Sequence, residues 1–223
     1  MQQAEAELHP QGVAYTVTRE YQLSAAGEQQ PNSDVVAQVN FVSSAATDFS
    51  ITRSEGSDRG TGIVRKVLDH ETQMASHPEL HNLSPGNYDF ALLAQEAVDG
   101  HRCYVLQLKP KREAVELIDG KAWVDADDFS VRKIQGRTAK NPSLWIKNLN
   151  LTINFGEVNG VWVQTSTQAV ADVRFAGPHV LTSRELDVRL ATISAQAQPP
   201  ARVHQQRRNN RHVITDSAAW VAR

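Results

Sequence analysis

The chain has a single cysteine among 223 residues, so it forms no intramolecular disulfide and holds neither a CxxC pair nor a zinc-ribbon spacing. Cys103 sits inside the alternating run Arg102-Cys103-Tyr104-Val105-Leu106, where a small core residue is expected rather than a nucleophile. No GxSxG elbow is present either, which leaves acyl-transfer chemistry without its usual foothold. No apolar run approaches the roughly 20 residues of a membrane-spanning helix. The opening residues, MQQAEAELHP, contain no positively charged n-region, apolar h-region or small-residue cleavage site.

Charge of one sign is also scarce. The net charge is −2, with Arg202, Arg207, Arg208, Arg211 and Arg223 facing only Asp216 in the last 28 residues. That tail is therefore net +4 and the rest of the chain −6. An acidic body with a basic tail does not match a nucleic-acid-binding domain, whose footprint is a basic face on the folded part. What remains is ordinary globular material, 40% apolar and 22% charged, long enough to bury roughly 70% of its unfolded surface without metal or disulfide. Residues 1–12 read as a polar lead-in, 13–195 as one domain, and 196–223 as a basic, aperiodic tail.

Within the domain the dominant period is two. Val13, Tyr15, Val17, Tyr21 and Leu23 alternate with small or polar residues, interrupted only by Arg19. Runs at Val35–Phe41 and Phe49–Ile51 continue this as a meander. The period then changes: Ile63, Val64, Val67, Leu68, Glu71 and Met74 fall three or four apart, which predicts an amphipathic helix over 63–74 with Thr61 as its cap. Strands resume at 88–97 and 102–109 across VDGH, at 114–118 and 121–125 across an Asp119-Gly120 turn, and at 129–136. A long strand from Leu144 to Phe155 pairs with 161–170 across GEVNG, and 171–176 pairs with 180–190 around Gly177-Pro178. The expected fold is mainly β: about eleven strands in one strongly curved antiparallel sheet, with one helix against it.

Four groups of residues could carry chemistry. Gly56, Gly60 and Gly62 open the helix, but they match neither GxGxxG nor GxxxxGK[ST], and a hinge or lid loop is the better reading. His77 and His81 are four apart, with His70 or Glu71 as a distant third metal ligand, but Pro78 interrupts the helix that would align them. Asp125, Asp127 and Asp128 offer oxygens without the glycine and distant glutamate of an EF-hand. Cys103 is the fourth, read above as core. No metal, cofactor or catalytic residue is assigned from these patterns.

Three segments carry a family resemblance: YDFALLAQEAVDGHRCYVLQLKPKR, LIDGKAWVDADDFSVRKIQGRTAKNPSLWI and GVWVQTSTQAVADVRFAGPHVLTSR. They resemble the bacterial outer-membrane lipoprotein-sorting proteins of the LolA-like superfamily, over approximately residues 13–190. The most specific part runs from Gly120 through Trp123 to Asp125, then Phe129 and Gly136 to Pro142. The resemblance implies an incomplete β-barrel of about eleven antiparallel strands with a helical lid over an apolar cavity. It also implies a non-enzymatic carrier in the periplasm or cell envelope, working without cofactor. The implied partners are lipoprotein acyl chains or other lipids and envelope donor or acceptor proteins, with transient membrane contact and no nucleic acid. Cavity-lining residues expected on this basis are Val39, Phe41, Phe49, Ile51, Val64, Val67, Leu68, Leu151 and Ile153. The loop 54–62 and the helix 63–74 are the expected moving parts. A lipid- or lipoprotein-sensing domain is the alternative, and a metal-dependent hydrolase built on His70, His77 and His81 a weaker one.

Overall fold

The computed structural model describes residues 14–190 apart from Gln29, Ser43 and Ser44, with no side chains described for 42–47. The expected lead-in (1–12) and basic tail (196–223) lie outside the described residues. The described residues form ten strands: β1 (Tyr15–Ala25), β2 (Ser33–Val42), β3 (Ala45–Gly56), β4 (Tyr88–Val98), β5 (His101–Pro110), β6 (Ile118–Asp125), β7 (Val131–Thr138), β8 (Ile146–Val158), β9 (Val161–Val173) and β10 (Gly177–Leu190). One helix, α1 (Asp58–Ala75), and a single 3-10 turn (Pro78–Leu80) separate β3 from β4. All ten strands belong to one antiparallel sheet in the order β3-β2-β1-β10-β9-β8-β7-β6-β5-β4. The ends β3 and β4 do not pair, so the sheet is an incomplete barrel, and the mainly-β, helix-bearing fold expected from the sequence is the one observed.

The differences are local and have physical causes. Asp119-Gly120 is not a turn; both residues lie inside β6, and residues 114–117 form no strand. Gly120 and Gly136 are register partners on β6 and β7. A Cβ at Gly120 would stand 2.1 Å from the Gln135 carbonyl oxygen, and one at Gly136 would stand 2.5 Å from the Asp119 carbonyl oxygen. The backbones are thus pressed together where the sheet folds inward, and glycine is needed for approach rather than for a turn. Residues 161–170 and 171–176 are not two strands but the single strand β9, which together with the absent strand at 114–118 brings the count to ten.

The helix starts earlier than its apolar stripe. Ser57 caps it, its Oγ accepting from the Gly60 amide at 3.1 Å, and Asp58 adds negative charge to the first turn. The helix accommodates a glycine at position 60 because it lies against β2: a Cβ there would be 1.9 Å from Ser33 Oγ. In the β8–β9 connection, the positive φ angles belong to Asn159 and Gly160, while Gly156 stays within β8. At the free edge, β4 pairs with β5 with a register shift between Leu92 and Ala94.

Directly opposed residues in an antiparallel ladder share a face, so the registers define an inner face on the helix side. Tyr21, Val35, Ala37 and Val39 pack there with Val64 and Leu68 of α1. At the far end Tyr88, Leu108, Leu117, Ala122, Val124 and Val131 form a second cluster. Tyr15, Val17, Val161, Val163 and Val188 close one end of the central strands, with Tyr15 stacked on Phe41 at 4.6 Å.

Gly136→Val would force the β6–β7 backbones apart. We expect a loss of at least about 3 kcal/mol in urea-unfolding free energy, against little change for Gly100→Asn at an open turn where nothing approaches.

Candidate functional site

Two rows of register partners cross the inner face. One runs Leu23, Leu181, Ala169, Leu151, Gly136, Gly120, Leu108, Phe90, and the next Tyr21, Ser183, Thr167, Ile153, Ile134, Ala122, Leu106, Leu92. Tyr21 and Leu181 on one side and Ala122, Leu106, Leu108 and Phe90 on the other belong to the two apolar clusters, whereas Leu149, Leu151 and Ile153 on β8 and Ala169 on β9 remain half-buried and belong to neither. Helix α1 packs on β2 and β3. Among the described residues, then, a strip of half-buried aliphatic side chains lies between the two clusters on the inner face.

The nine residues expected to line a cavity divide accordingly. Val39, Val64 and Leu68 are fully packed, and Phe41, Phe49, Ile51 and Val67 are partly buried against them, so these seven form one cluster beneath the helix. Leu151 and Ile153 are not brought to it; they sit on the open strip. A hollow of about 470 Å³ does exist, but on the opposite face. Its walls are hydrophilic, including Gln22, Thr152, Asn154, Gln168 and the Glu20–Arg184 ion pair at 2.9 Å.

The helix is also held by charge. Glu71 Oε2 accepts from Arg19 Nη1 at 3.1 Å and from Tyr21 Oη at 3.0 Å. Arg19 Nη2 donates further to the Gln164 carbonyl at 3.4 Å, while its buried Nε meets no hydrogen-bond partner. Burial opposes the charge on Arg19, but Glu71 and Tyr21 outweigh it and keep the guanidinium protonated. Burial likewise raises the Tyr21 phenol, and the neighbouring Glu71 carboxylate raises it further. Tyr15 is pushed up to about 12 by burial, against a smaller opposing pull from Arg19. Sequence reasoning missed this network, yet its signal was present: Arg19 breaks the buried parity of β1, and Glu71 stands in the apolar stripe of the helix.

The other candidates separate. His77 Nδ1 lies 3.2 Å from Glu79, and His81 Nδ1 lies 3.1 Å from the Pro78 carbonyl. With Glu71 engaged by Arg19, no group of three or more His, Cys, Asp or Glu among the described residues is placed to hold a metal. Asp125 is buried and structural: Arg132 Nε donates to it at 2.6 Å, the Asp127 amide at 2.9 Å, and His101 Nδ1 stands 3.2 Å away. Burial works against its charge, but the Asp127 amide and Arg132 prevail and hold the carboxyl below the usual carboxylate range. Cys103 is buried beside Val105 and Trp123, and its thiol is pushed up by burial and by Asp125, which makes it a poor nucleophile.

Comparison with known proteins adds the following. A family model described as an uncharacterized protein matches residues 75–175. No curated protein matches the sequence. Among solved structures, the chain is similar to a LolA superfamily protein from Nitrosomonas europaea, with TM-score 0.41, 16% identity, and coverage of 86% of this chain and 92% of that one. It is also similar to an outer membrane lipoprotein-sorting protein domain from Vibrio parahaemolyticus, with TM-score 0.45, 15% identity, and coverage of 87% and 92%. A third, a DUF1329 family protein from Desulfovibrio piger, has TM-score 0.41, 14% identity, and coverage of 85% and 88%.

Two outcomes test the site's electrostatics. Glu71→Ala strands a buried cation and is expected to cost about 3 kcal/mol of stability, most of it recovered in Arg19→Met/Glu71→Leu, by urea unfolding. For Asp125 a lowered folded-state pKa means stabilisation present above its unfolded pKa and lost as pH falls through the folded one. Asp125→Asn should therefore be destabilised by roughly 2 kcal/mol at neutral pH, with the difference from the parent shrinking on acidification; a difference independent of pH would remove the charge from the account.

Proposed function

We propose that the protein is a lipid or lipoprotein carrier of the cell envelope that shelters an acyl chain on the inner face of its open sheet. The observation that carries this reading is the half-buried aliphatic strip of Leu149, Leu151, Ile153 and Ala169, which among the described residues belongs to neither of the filled clusters on its two sides. Such a strip is too apolar to be left to water without cost and too narrow for a second folded layer, whereas a hydrocarbon tail fits along it. A methylene fully taken from water contributes about 0.8 kcal/mol, so a tail of about 14 methylenes would contribute roughly 11 kcal/mol before ordering costs only when enclosed, as it would be with the helix folded over it. The lipoprotein-sorting type of carrier is the one implied by the sequence resemblance over residues 13–190, and the periplasm is its proposed location.

Binding in this scheme is non-covalent, with Leu151 and Ile153 as the floor of the site. Helix α1 is the movable cover. If it lifts, Val39, Phe41, Phe49 and Ile51 on the sheet, together with Val64, Val67 and Leu68 on the helix, become continuous with the strip and lengthen it. The Arg19–Glu71–Tyr21 contacts oppose that movement. Opening would be coupled to ligand entry, since the tail then replaces the apolar contacts the helix gives up.

Leu151→Asp and Ile153→Asp each place a carboxylate on the strip. Both are expected to abolish uptake of a fluorescent fatty-acid probe while far-ultraviolet circular dichroism stays that of the parent. Leu151→Ser, a milder change, should weaken uptake by about tenfold, for roughly 1.4 kcal/mol of lost contact. Undiminished uptake by folded carboxylate variants would remove the strip from the binding site.

A further inference from the structure

The largest exposed apolar side chains cluster on neighbouring loops at one end of the sheet. Leu144 is 91% exposed, Trp145 64% and Phe175 98%. Leu144 and Trp145 lie in the connection between β7 and β8, and Phe175 lies in the turn between β9 and β10. The register partnership of Ile146 with Val173 brings these two segments side by side.

They are also fastened to each other. The Arg174 amide donates to the Trp145 carbonyl at 2.8 Å, and Arg174 Nε donates to the Leu144 carbonyl at 2.8 Å. Asn141 Nδ2 holds the Lys147 carbonyl at 2.7 Å, and the Ile146 amide bonds the Ser143 carbonyl at 3.2 Å. The three side chains are thus presented on a braced platform instead of a loose loop.

Phe175 gives a second, independent observation. Its φ is +66°, in the left-handed region that a bulky side chain enters at a cost and that glycine or asparagine enters readily. With 98% of its surface exposed, packing does not repay that conformation. A turn selected only for closing a hairpin would favour a small polar residue here.

The charges around the patch are mostly positive. Lys140, Lys147 and Arg174 flank it on the same two segments, with Asp172 as their carboxylate, 4.0 Å from Lys147 Nζ. Aromatic and leucyl side chains ringed by lysine and arginine match the boundary of a bilayer, where rings settle at the headgroup level and cations meet anionic lipid. We infer that the Leu144–Trp145–Phe175 platform docks this protein on the surface of a membrane containing anionic lipid.

This inference is independent of where an acyl chain binds, and the experiment keeps the two apart. The full chain is sedimented with vesicles of phosphatidylcholine plus phosphatidylglycerol, and with vesicles of phosphatidylcholine alone. We expect binding to the former, weakened by added salt, and little to the latter. Phe175→Asn suits the left-handed turn and should fold at least as well as the parent. Combined with Leu144→Ser, it should reduce vesicle binding by about tenfold or more while leaving fatty-acid uptake unchanged. Lys140→Gln/Lys147→Gln should reduce binding to anionic vesicles selectively. Ile153→Asp, which tests the acyl strip, should bind vesicles as the parent does.

The inference is overturned if the parent ignores anionic vesicles or if Phe175→Asn/Leu144→Ser still binds them. It is equally overturned if Ile153→Asp alone abolishes vesicle binding, which would route the contact through the strip. A dimer in sedimentation velocity that Phe175→Asn dissociates, without vesicle binding, would assign the platform to a second copy of the chain and also overturn it.

Discussion

The one helix among the described residues does not cover the inner face of a ten-stranded sheet. Ten strands spaced by about 4.8 Å span roughly 48 Å of curved surface, while a helix is about 10 Å across. The helix α1 packs over β2 and β3 and reaches Arg19 and Tyr21 on β1, so it serves one end of the sheet. The far strands solve the same problem by folding onto themselves, with Leu83, Ala114 and Leu117 from the connections filling in. Among the described residues the centre receives neither solution. Leu149, Leu151, Ile153 and Ala169 are aliphatic all the same, and the functional reading follows from that mismatch between what these strands offer and what the described residues supply to cover it.

The bend that concentrates this surface has a local origin. At Gly120 and Gly136 two backbones come closer than any side chain permits, and Leu151 is the next residue in the same cross-strand row. The pinch and the strip are thus neighbours in one row: Gly120 and Gly136 draw β6 and β7 together, and Leu151 on β8 stands directly opposite Gly136. On the other face, β8 and β9 carry Thr152, Asn154 and Gln168, while β5 and β6 bury Cys103, Val105 and Trp123 in a separate apolar cluster.

Much of this was legible in the sequence, for identifiable reasons. The odd-position alternation of Tyr15, Val17, Tyr21 and Leu23 gave β1 its buried face because a strand's period is insensitive to tertiary context. The helix was legible from Val64, Val67 and Leu68, but its first turn was not, because Gly60 and Gly62 look like loop residues until the close contact with Ser33 is known. Asp119-Gly120 was misread for a related reason. Glycine serves turns and close approaches alike, and a single sequence does not say which. Leu151 and Ile153 were recognisable as inward-facing, yet nothing in their alternation distinguishes packed from uncovered; that depends on how far a helix elsewhere in the chain extends. The exposed Trp145 and Phe175 were equally hidden, since apolar residues at strand ends look like core until the turn geometry turns them outward.

The register shift in β4 bears on how such a sheet stays finite. An unclosed ladder ends in unpaired amides and carbonyls that invite another chain to continue it. Along β4 the pairing slips between Leu92 and Ala94, so an incoming strand would find its hydrogen-bonding rhythm interrupted midway. Asp89 and Glu96 stand on either side of that interruption and add like charge against a second copy laid antiparallel. The irregular edge thus works against continuation of the sheet from β4 by a second copy of the chain.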